Sequence, residues 1–566
     1  MDTTAQTTPS PAARARARAA EFAPSAAETA ALTAAAAEML DGDDALEALD
    51  ARRVFGEDSP IAHHCEAVAA NFHIPTTITV LVALAFRSIG CADRVRQRIA
   101  PSTAAPWSCP LHLWVFGELP PAVGKSSLLT KMGHADVLGF AEAAKQAWTN
   151  VAATDSYRRR KASRMFANPK TSEAEGVKME AYLDSPRHSA PDMIADRTTV
   201  EDTRHTMLSS GFTCSILGEG REGLKRFVLD GVAVNDLNDG FSGTAVKADT
   251  RGDREKGSKA KFKEMHTALV WLPQPRGLAP SESIARKNVN DAIGEHGFLA
   301  RFLTARGEAG VVPSAQYDAE VEAAYAADLA KFLDGIEHVA VSEGEPLPGL
   351  NRHPLAPRRE HATGVGVQQV YAGHWVDITG AAADRLYAFQ EHHKGIAREL
   401  RVAAEARGQA KDPRSPTHGR IGELAMRIAA VLAMIRVGGV APLQRGEQVQ
   451  VTLDEVERAV YVCETLLPHA ASMIREASMG EVAALVHRIV KTLAKEGKLT
   501  EARLWSSHAQ HWPEVAGWDG RARASIMAAL ESAERYGLVD KGRSPGGKAT
   551  YDLSPAARRA VVREVA

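Results

Sequence analysis

The segment that most constrains this chain is Gly-Lys-Ser-Ser at residues 124–127, which follows the apolar run Leu111–Phe116. An apolar strand, a tight turn and a helix that opens on Gly-Lys-Ser are the parts of a phosphate-binding P-loop. In such a loop the backbone N–H groups point at phosphate, the lysine neutralises the β- and γ-phosphates, and the serine hydroxyl completes a Mg²⁺ shell. We therefore expect Lys125 and Ser126 to bind ATP and Mg²⁺.

The loop departs from the usual pattern of such motifs. Leu119 stands five residues before Gly124, where glycine is usual, and two prolines follow it. Proline stiffens a loop but leaves fewer positions that can adopt a positive φ. The alternative is a plain helix N-cap with a surface lysine, although the preceding strand and the helix-like Leu128–Met132 favour the phosphate loop. The residues expected to contact the nucleotide are Pro121, Ala122, Val123, Gly124, Lys125, Ser126 and Ser127.

Composition narrows the class of protein further. A chain of 566 residues is too long for a single core and predicts roughly two to four domains. With a net charge of −2, the chain as a whole has no electrostatic field that would attract nucleic acid or a membrane. Any basic surface must therefore be local. None of the five cysteines forms a C-x-x-C pair, which argues against a zinc ribbon. Because no apolar run is long enough to cross a bilayer, we expect a cytoplasmic protein without membrane contact.

Alternating strand-like and helix-like segments between residues 110 and 310 predict an α/β fold with a parallel sheet. The strand candidates are Leu111–Phe116, Phe212–Leu217 and Ala268–Leu272. Residues 346–375 are rich in proline and glycine and are expected to be a connection. The expected organisation is a disordered tail at 1–25, a helical lead-in at 26–105, a P-loop ATPase core at 106–315, a helical domain at 316–475 and a winged helix-turn-helix at 481–566.

Polar residues near the predicted strand ends are candidates for the chemistry. Glu219 follows the strand Phe212–Leu217, where an acid that activates water would fall, although it is also compatible with an ordinary strand-end glutamate. Asp196 is a weaker candidate for the same role. Gln274 follows the third strand, where it would sense the γ-phosphate or be a simple loop residue.

Two arginines lie within apolar segments, at Arg301 and Arg427. A semi-buried arginine needs a partner. In an oligomeric ATPase that partner is the γ-phosphate of a neighbouring subunit, reached in trans. A salt bridge within the subunit explains the same pattern, and the sequence leaves both alternatives open.

Two segments are candidates for DNA contact. Lys247–Lys263 carries seven Lys/Arg against three Asp/Glu, which is typical of a loop that tracks single-stranded DNA in a channel or of a solvated loop. From Glu481 onward, three predicted helices, the first at Glu481–Glu496, and a basic hairpin carry 14 Lys/Arg against 10 Asp/Glu. This pattern predicts a winged helix that binds duplex DNA or protein. The expected DNA contacts are Lys256, Lys259, Lys261, Arg521, Arg523, Arg543 and Lys548.

The order of these motifs resembles a domain-of-unknown-function family of P-loop ATPases found on prophages and plasmids, often fused behind primases and described as replicative helicases. The similarity covers about residues 55–475. It rests on short blocks at 73–76, 107–127, 196–201, 217–220, 274–275, 297–302 and 425–429.

The resemblance implies a RecA-like or AAA+-like ATPase core with helical flanking regions. It also implies a homo-oligomer, with a hexamer as the expected ring, that serves replication of a mobile element. On this interpretation Lys125, Glu219, Gln274 and Arg301 carry out ATP hydrolysis that drives movement on DNA. The alternatives are an ATP-dependent regulatory or loading switch that does not unwind DNA, and a non-enzymatic scaffold built on a degenerate loop.

Overall fold

The protein is represented by a computed structural model, which describes residues 46–91, 95–120, 123–142, 212–218, 231–243, 245–247, 262–264, 266–274, 297–307, 318–333, 358–363, 366–371, 374–406, 412–478, 481–508, 522–535, 538–555 and 558. Several predictions lie outside the described residues: the tail at 1–25, the first part of the lead-in at 26–45, and Pro121, Ala122, Asp196, Glu219, Lys256, Lys259, Lys261 and Arg521.

The chain divides into two compact units. The first comprises Leu46–Ala477, and the second contains the described residues from Ser478 onward. One hydrophobic core runs through the first unit from Leu49 to Ile474. The lead-in, the ATPase segment and the helical segment distinguished in the sequence therefore share one core.

The described residues of the first unit form a set of helices and twelve strands. The helices are α1 (Ala51–Phe55), α2 (Pro60–Phe72), α3 (Thr76–Cys91), α4 (Lys125–Lys131), α5 (Gly231–Ser242), α6 (Ala319–Leu333), α7 (Gly380–Ala406), α8 (Ser415–Arg436), α9 (Ala441–Gln444) and α10 (Leu453–Ser478); residues 134–142 are also helical. The strands are β1 (Val95–Ala100), β2 (Trp107–Pro110), β3 (Trp114–Glu118), β4 (Phe212–Leu217), β5 (Ala245–Lys247), β6 (Phe262–Glu264), β7 (His266–Trp271), β8 (Phe302–Arg306), β9 (Arg358–Thr363), β10 (Gly366–Tyr371), β11 (His374–Thr379) and β12 (Val449–Gln450).

The central sheet has four parallel strands in the order β4-β7-β3-β8, which confirms the predicted α/β class. The pairings Trp114↔Leu269 and Trp114↔Phe302 fix the register of the middle strand. Every residue of β3 and β7 is buried, as expected for strands covered on both faces. Because the strands are parallel, their carboxyl ends meet at one edge of the sheet, where ligands of such folds usually bind.

The lead-in is helical only in part. Ser59 caps the N-terminus of α2 with Pro60 in the first turn, and α3 is buried along its whole length. Both lie where the sequence predicts helices, at Ile61–Phe72 and Thr76–Ser88. The segment Val95–Ala100, however, is a strand and not a helix, because Val95, Gln97 and Ile99 alternate inward with a period of two. It lies in a second sheet with the order β12-β11-β1-β2.

The proline- and glycine-rich segment 346–375 was expected to be a connection, and this is wrong in part. Strands β9 and β10 form an antiparallel hairpin inside it, and β11 begins before it ends. A second hairpin, β5 with β6, brackets the basic segment Lys247–Lys263 by pairing Lys247 with Phe262. Strand β10 lies beside β6, so the two hairpins are neighbours.

The second unit has its own core around Ile489, Leu530 and Tyr551. A three-stranded antiparallel sheet has the order β13-β15-β14. The helix predicted at Glu481–Glu496 is confirmed with the same bounds. The elements of this unit are α11 (Glu481–Glu496), β13 (Leu499–Thr500), α12 (Glu501–Ser507), α13 (Ala522–Arg535), β14 (Val539–Arg543) and β15 (Ala549–Leu553).

The hairpin β14–β15 turns at Ser544–Lys548. The N–H of Ser544 donates to the carbonyl of Lys548 at 2.8 Å, and the N–H of Gly547 donates to that of Ser544 at 2.8 Å. Arg543 and Lys548 flank this turn with exposed side chains, and Arg523 lies in α13. Among the described helices of the whole chain, none is both long and apolar enough to span a membrane.

Candidate nucleotide site

The segment that joins β3 to α4 makes a sharp turn at Gly124. This residue has φ 74° and ψ 46°, a left-handed conformation that glycine adopts without a steric penalty. It precedes the first helical residue, Lys125, and provides no side-chain cap for the helix. An acceptor for the N–H donors of the first turn must therefore come from elsewhere.

The side chains of the first turn of α4 differ in their exposure to solvent. Lys125 is buried, with 6% of its surface exposed, whereas Ser126 and Ser127 are exposed. The sequence left open the alternative of a plain helix N-cap with a surface lysine. That alternative would place the ammonium group of Lys125 in water. The burial of Lys125 argues against that alternative.

Backbone hydrogen bonds tie the base of this loop to the neighbouring strands. The N–H of Leu119 donates to the carbonyl of Pro273 at 2.9 Å, just beyond β7. On the other side, the N–H of Gly307 donates to the carbonyl of Glu118 at 2.7 Å, just beyond β8. The loop therefore leaves the sheet from a point that is fixed on both sides.

The carboxyl end of β4 approaches the first turn of α4. A Cβ atom placed on Gly218 would lie 3.6 Å from both Lys125 Cβ and Ser126 Oγ. Glu219 is the next residue along the chain and lies outside the described residues. Gln274 is exposed and follows Pro273, the acceptor for Leu119. The ends of β4 and β7 therefore reach the loop that the sequence singled out.

The residues at the loop are chemically compatible with ATP and Mg²⁺. A phosphate would receive the N–H groups of residues 124–127 and the charge of Lys125. Mg²⁺ usually keeps several waters and takes oxygen ligands from substrate phosphates, so the single hydroxyl of Ser126 suits it. Within the ranges that the structure describes, no group of three or more His, Cys, Asp and Glu residues could hold a metal ion by itself.

The far end of α4 is held by two side chains that the sequence did not indicate. His64 Nε2 donates to the carbonyl of Lys131 at 2.9 Å, and the hydroxyl of Tyr325 donates to that of Met132 at 2.9 Å. The two rings stack with centroids 4.1 Å apart. Burial lowers the pKa of His64, which keeps the ring neutral with one donor nitrogen. Carbonyls that the helix leaves without an internal partner are thereby satisfied.

An ion pair fixes the carboxyl ends of β3 and β8 to each other. Arg306 Nε lies 3.2 Å from Glu118 Oε2, and both side chains are mostly buried, at 16% and 4% exposed. Arg306 also donates from Nη1 to Ser472 Oγ at 2.8 Å, and its N–H donates to His469 Nδ1 at 3.1 Å. These contacts connect the base of the loop to α10.

Arg301 lies at the opposite edge of the sheet from the loop. It immediately precedes Phe302, which pairs with the first residue of β3, so about four residues of strand, roughly 13 Å, separate the two ends. The side chain is 7% exposed and donates from Nη1 to the carbonyl of Gly297 at 2.7 Å. Burial, together with the nearby charge of Arg420, lowers its pKa to about 9, so the guanidinium remains charged at neutral pH. Arg301 does not reach the loop of its own subunit, and its action in trans stays a prediction.

Arg427 is engaged within its own subunit. Its side chain is completely buried, donates to the carbonyls of His112 and Phe241 at 2.7 Å each, and pairs with Glu423 at 2.7 Å. The guanidinium also lies 3.7 Å from the ring centroid of Phe241. Of the two alternatives for Arg427, the geometry supports the intramolecular one: the residue ties α8 to α5 and to the segment before β3.

The structure thus brings Gly218 beside Lys125 and Ser126. It holds Pro273, the residue before Gln274, against Leu119 at the start of the loop. It leaves Arg301 and Arg427 at a distance from the loop. The contacts of His64, Tyr325 and Arg306 were missed, since each is an isolated residue whose partner lies far along the chain. No protein-family model matches the chain, and no curated protein matches it either. The resemblance to prophage and plasmid ATPases therefore stays a prediction.

We predict that Arg306→Ala lowers the free energy of unfolding by about 3 kcal/mol, because it removes the guanidinium that faces the buried Glu118 carboxylate. Urea denaturation followed by tryptophan fluorescence measures this change. The control is Arg385→Ala, which breaks the more exposed pair with Glu457 and should cost about 0.5 kcal/mol. Equal costs for the two variants would show that the Glu118–Arg306 pair does not fix the base of the loop.

Proposed function

We propose that this protein is an ATP-dependent DNA motor, of the replicative helicase type, that serves a mobile element such as a phage or plasmid. The observation that supports this most strongly is the approach of Gly218 to Lys125 and Ser126, with Gly124 in a left-handed turn between strand and helix. A phosphate loop needs an acid at the end of a neighbouring strand. Glu219, which directly follows Gly218, would supply it in a RecA-like or AAA+-like core.

The proposed roles follow from position at the carboxyl edge of the sheet. Lys125 would neutralise the β- and γ-phosphates, and Ser126 would complete the coordination of Mg²⁺. Glu219 would orient the attacking water, and Gln274 would sense the γ-phosphate from the end of β7. Arg301 would complete the site of a neighbouring subunit in a homo-oligomeric ring.

The position of the basic hairpin favours coupling between ATP and DNA. Strand β6 ends at Glu264 and β7 begins at His266, so the hairpin adjoins the amino end of β7. Gln274 follows the carboxyl end of the same strand. Strand β7 is buried at every residue and would carry a displacement from the γ-phosphate to a DNA-tracking loop that contains Lys256, Lys259 and Lys261.

The second unit supports a DNA contact by its topology. A helix, a short strand, two helices and a β-hairpin, with the first strand beside the last, are the parts of a winged helix. In that fold α13 would be the recognition helix and would carry Arg523, with Arg521 just before it. Arg543 and Lys548 would contact the phosphate backbone from the wing.

We predict that Lys125→Ala abolishes ATP hydrolysis, because the cation that faces the β- and γ-phosphates is removed. Phosphate release in the presence of single-stranded DNA measures the loss, and the expected decrease is about 100-fold or more. Lys131→Ala is the matched control, since it removes a lysine from the other end of the same helix and should keep most of the activity. Turnover that is the same in the Lys125 variant and in the native protein would overturn the enzyme assignment.

Strand displacement distinguishes a motor from a switch. A motor releases the labelled strand of a forked duplex only when ATP is hydrolysed. A regulatory or loading protein would bind duplex DNA in an ATP-dependent manner and release no strand. That second outcome would leave the ATP site in place and contradict the helicase assignment.

We predict that replacing Lys256, Lys259 and Lys261 together with alanine weakens binding to single-stranded DNA and reduces its salt dependence. Loss of three phosphate contacts should make the negative slope of log K against log salt shallower by about 2. The control variant replaces Lys331, Lys394 and Arg445 with alanine. These side chains are exposed, so their replacement removes the same positive charge elsewhere in the first unit. Fluorescence anisotropy of a labelled oligonucleotide measures both, and equal slopes in the two triple variants would contradict a specific role of the hairpin loop.

A further inference from the structure

The aromatic ring of Phe72 lies at the rim of the proposed phosphate loop. Helices α2 and α4 run side by side in opposite directions, because His64 in α2 contacts the carbonyl of Lys131 at the C-terminal end of α4. The last residue of α2 is Phe72, and it therefore falls next to the N-terminal end of α4. A Cβ atom placed on Gly124 would lie 3.6 Å from Phe72 Cε1 and 4.0 Å from Cδ1.

The ring is only partly buried. One part of it packs against the hydrophobic core of the unit, and the remainder is exposed. The packed part fixes the ring, and the part exposed to solvent offers a rigid apolar surface beside the loop. Such surfaces orient the base of a nucleotide.

The backbone after Phe72 fixes its position. His73 adopts φ 51° and ψ 46°, and it is the single non-glycine residue with a positive φ in the part of the chain that the structure describes. The N–H of His73 donates to the carbonyl of Ala70, the N–H of Ile74 donates to that of Ala69, and Ile74 is completely buried. A strained conformation at this point ends α2 abruptly and holds the ring where it is.

We infer that Phe72 is the base-stacking residue of the nucleotide site. The inference depends on the proposed function, because it assumes that phosphates occupy the loop at residues 123–127. A triphosphate held there leaves the sugar and base to extend past the rim, where the ring of Phe72 covers one face of the base. Since every base has a π-face, this contact selects a nucleotide over an inorganic polyphosphate.

The test compares the affinity of the full-length protein for ATP and for tripolyphosphate by calorimetry. Phe72→Leu keeps the apolar packing but removes the aromatic face, and it should weaken ATP binding about 10-fold or more without changing tripolyphosphate binding by more than about twofold. Phe72→Trp should restore ATP affinity. The control is Trp107→Ala, which removes a partly buried aromatic that packs against the same core from β2.

The outcomes separate the inference from the proposed function. If Phe72→Leu binds ATP like the native protein, or loses affinity for both ligands equally, the base-stacking role is wrong while the phosphate loop stands. If the native protein binds neither ligand, or if Lys125→Ala binds both normally, the proposed function fails and the inference fails with it.

Discussion

The parallel register of the central sheet is the constraint on which the rest of this structure depends. Because β3, β4, β7 and β8 all run in one direction, their carboxyl ends meet at one edge, and each ends in a segment that contacts its neighbour. The loop after β3 is held on one side by Pro273 and on the other by Gly307. The exit of the loop from the sheet is therefore fixed, and Gly124 provides a left-handed residue directly before the helix.

The same register separates the candidate site residues into two sets. Lys125 and Gln274 are at the carboxyl edge, whereas Arg301 is at the amino edge. The proposal that Arg301 acts in trans depends on this separation, because the residue does not reach the loop of its own subunit. Arg427 belongs to neither set, since its contacts tie α8 to α5 and to the segment before β3.

Much of the core could be predicted from the sequence because its signals are local. The buried strand Phe212–Leu217 and the amphipathic helix Glu481–Glu496 were found with the same bounds, since a continuous apolar run and a 3.6-residue period are visible within one window. The strand Val95–Ala100 was missed because its period-two pattern is short and follows a long helix. The hairpin β9–β10 was missed because proline and glycine were taken to exclude strands.

The sequence predicted the motif of the candidate site but not the contacts that its residues make in three dimensions. Gly-Lys-Ser marks a loop by itself, whereas the contacts of Phe72, Glu118 and Arg306 depend on partners that lie between 50 and 190 residues away. Non-local contacts of this kind leave no period or spacing in the sequence. The alternatives for Arg427 were likewise decided only by the carbonyl groups that surround it in three dimensions.

Hydrogen–deuterium exchange of the peptide that contains residues 123–131 tests the central claim most directly. If the backbone amides of the loop and of the first turn of α4 bind the phosphates of ATP, saturating Mg²⁺ and ATP should slow their exchange, and Lys125→Ala should abolish the effect. Exchange in this peptide that is unchanged by ATP, while another part of the chain becomes protected, would show that the nucleotide binds elsewhere and would contradict the account.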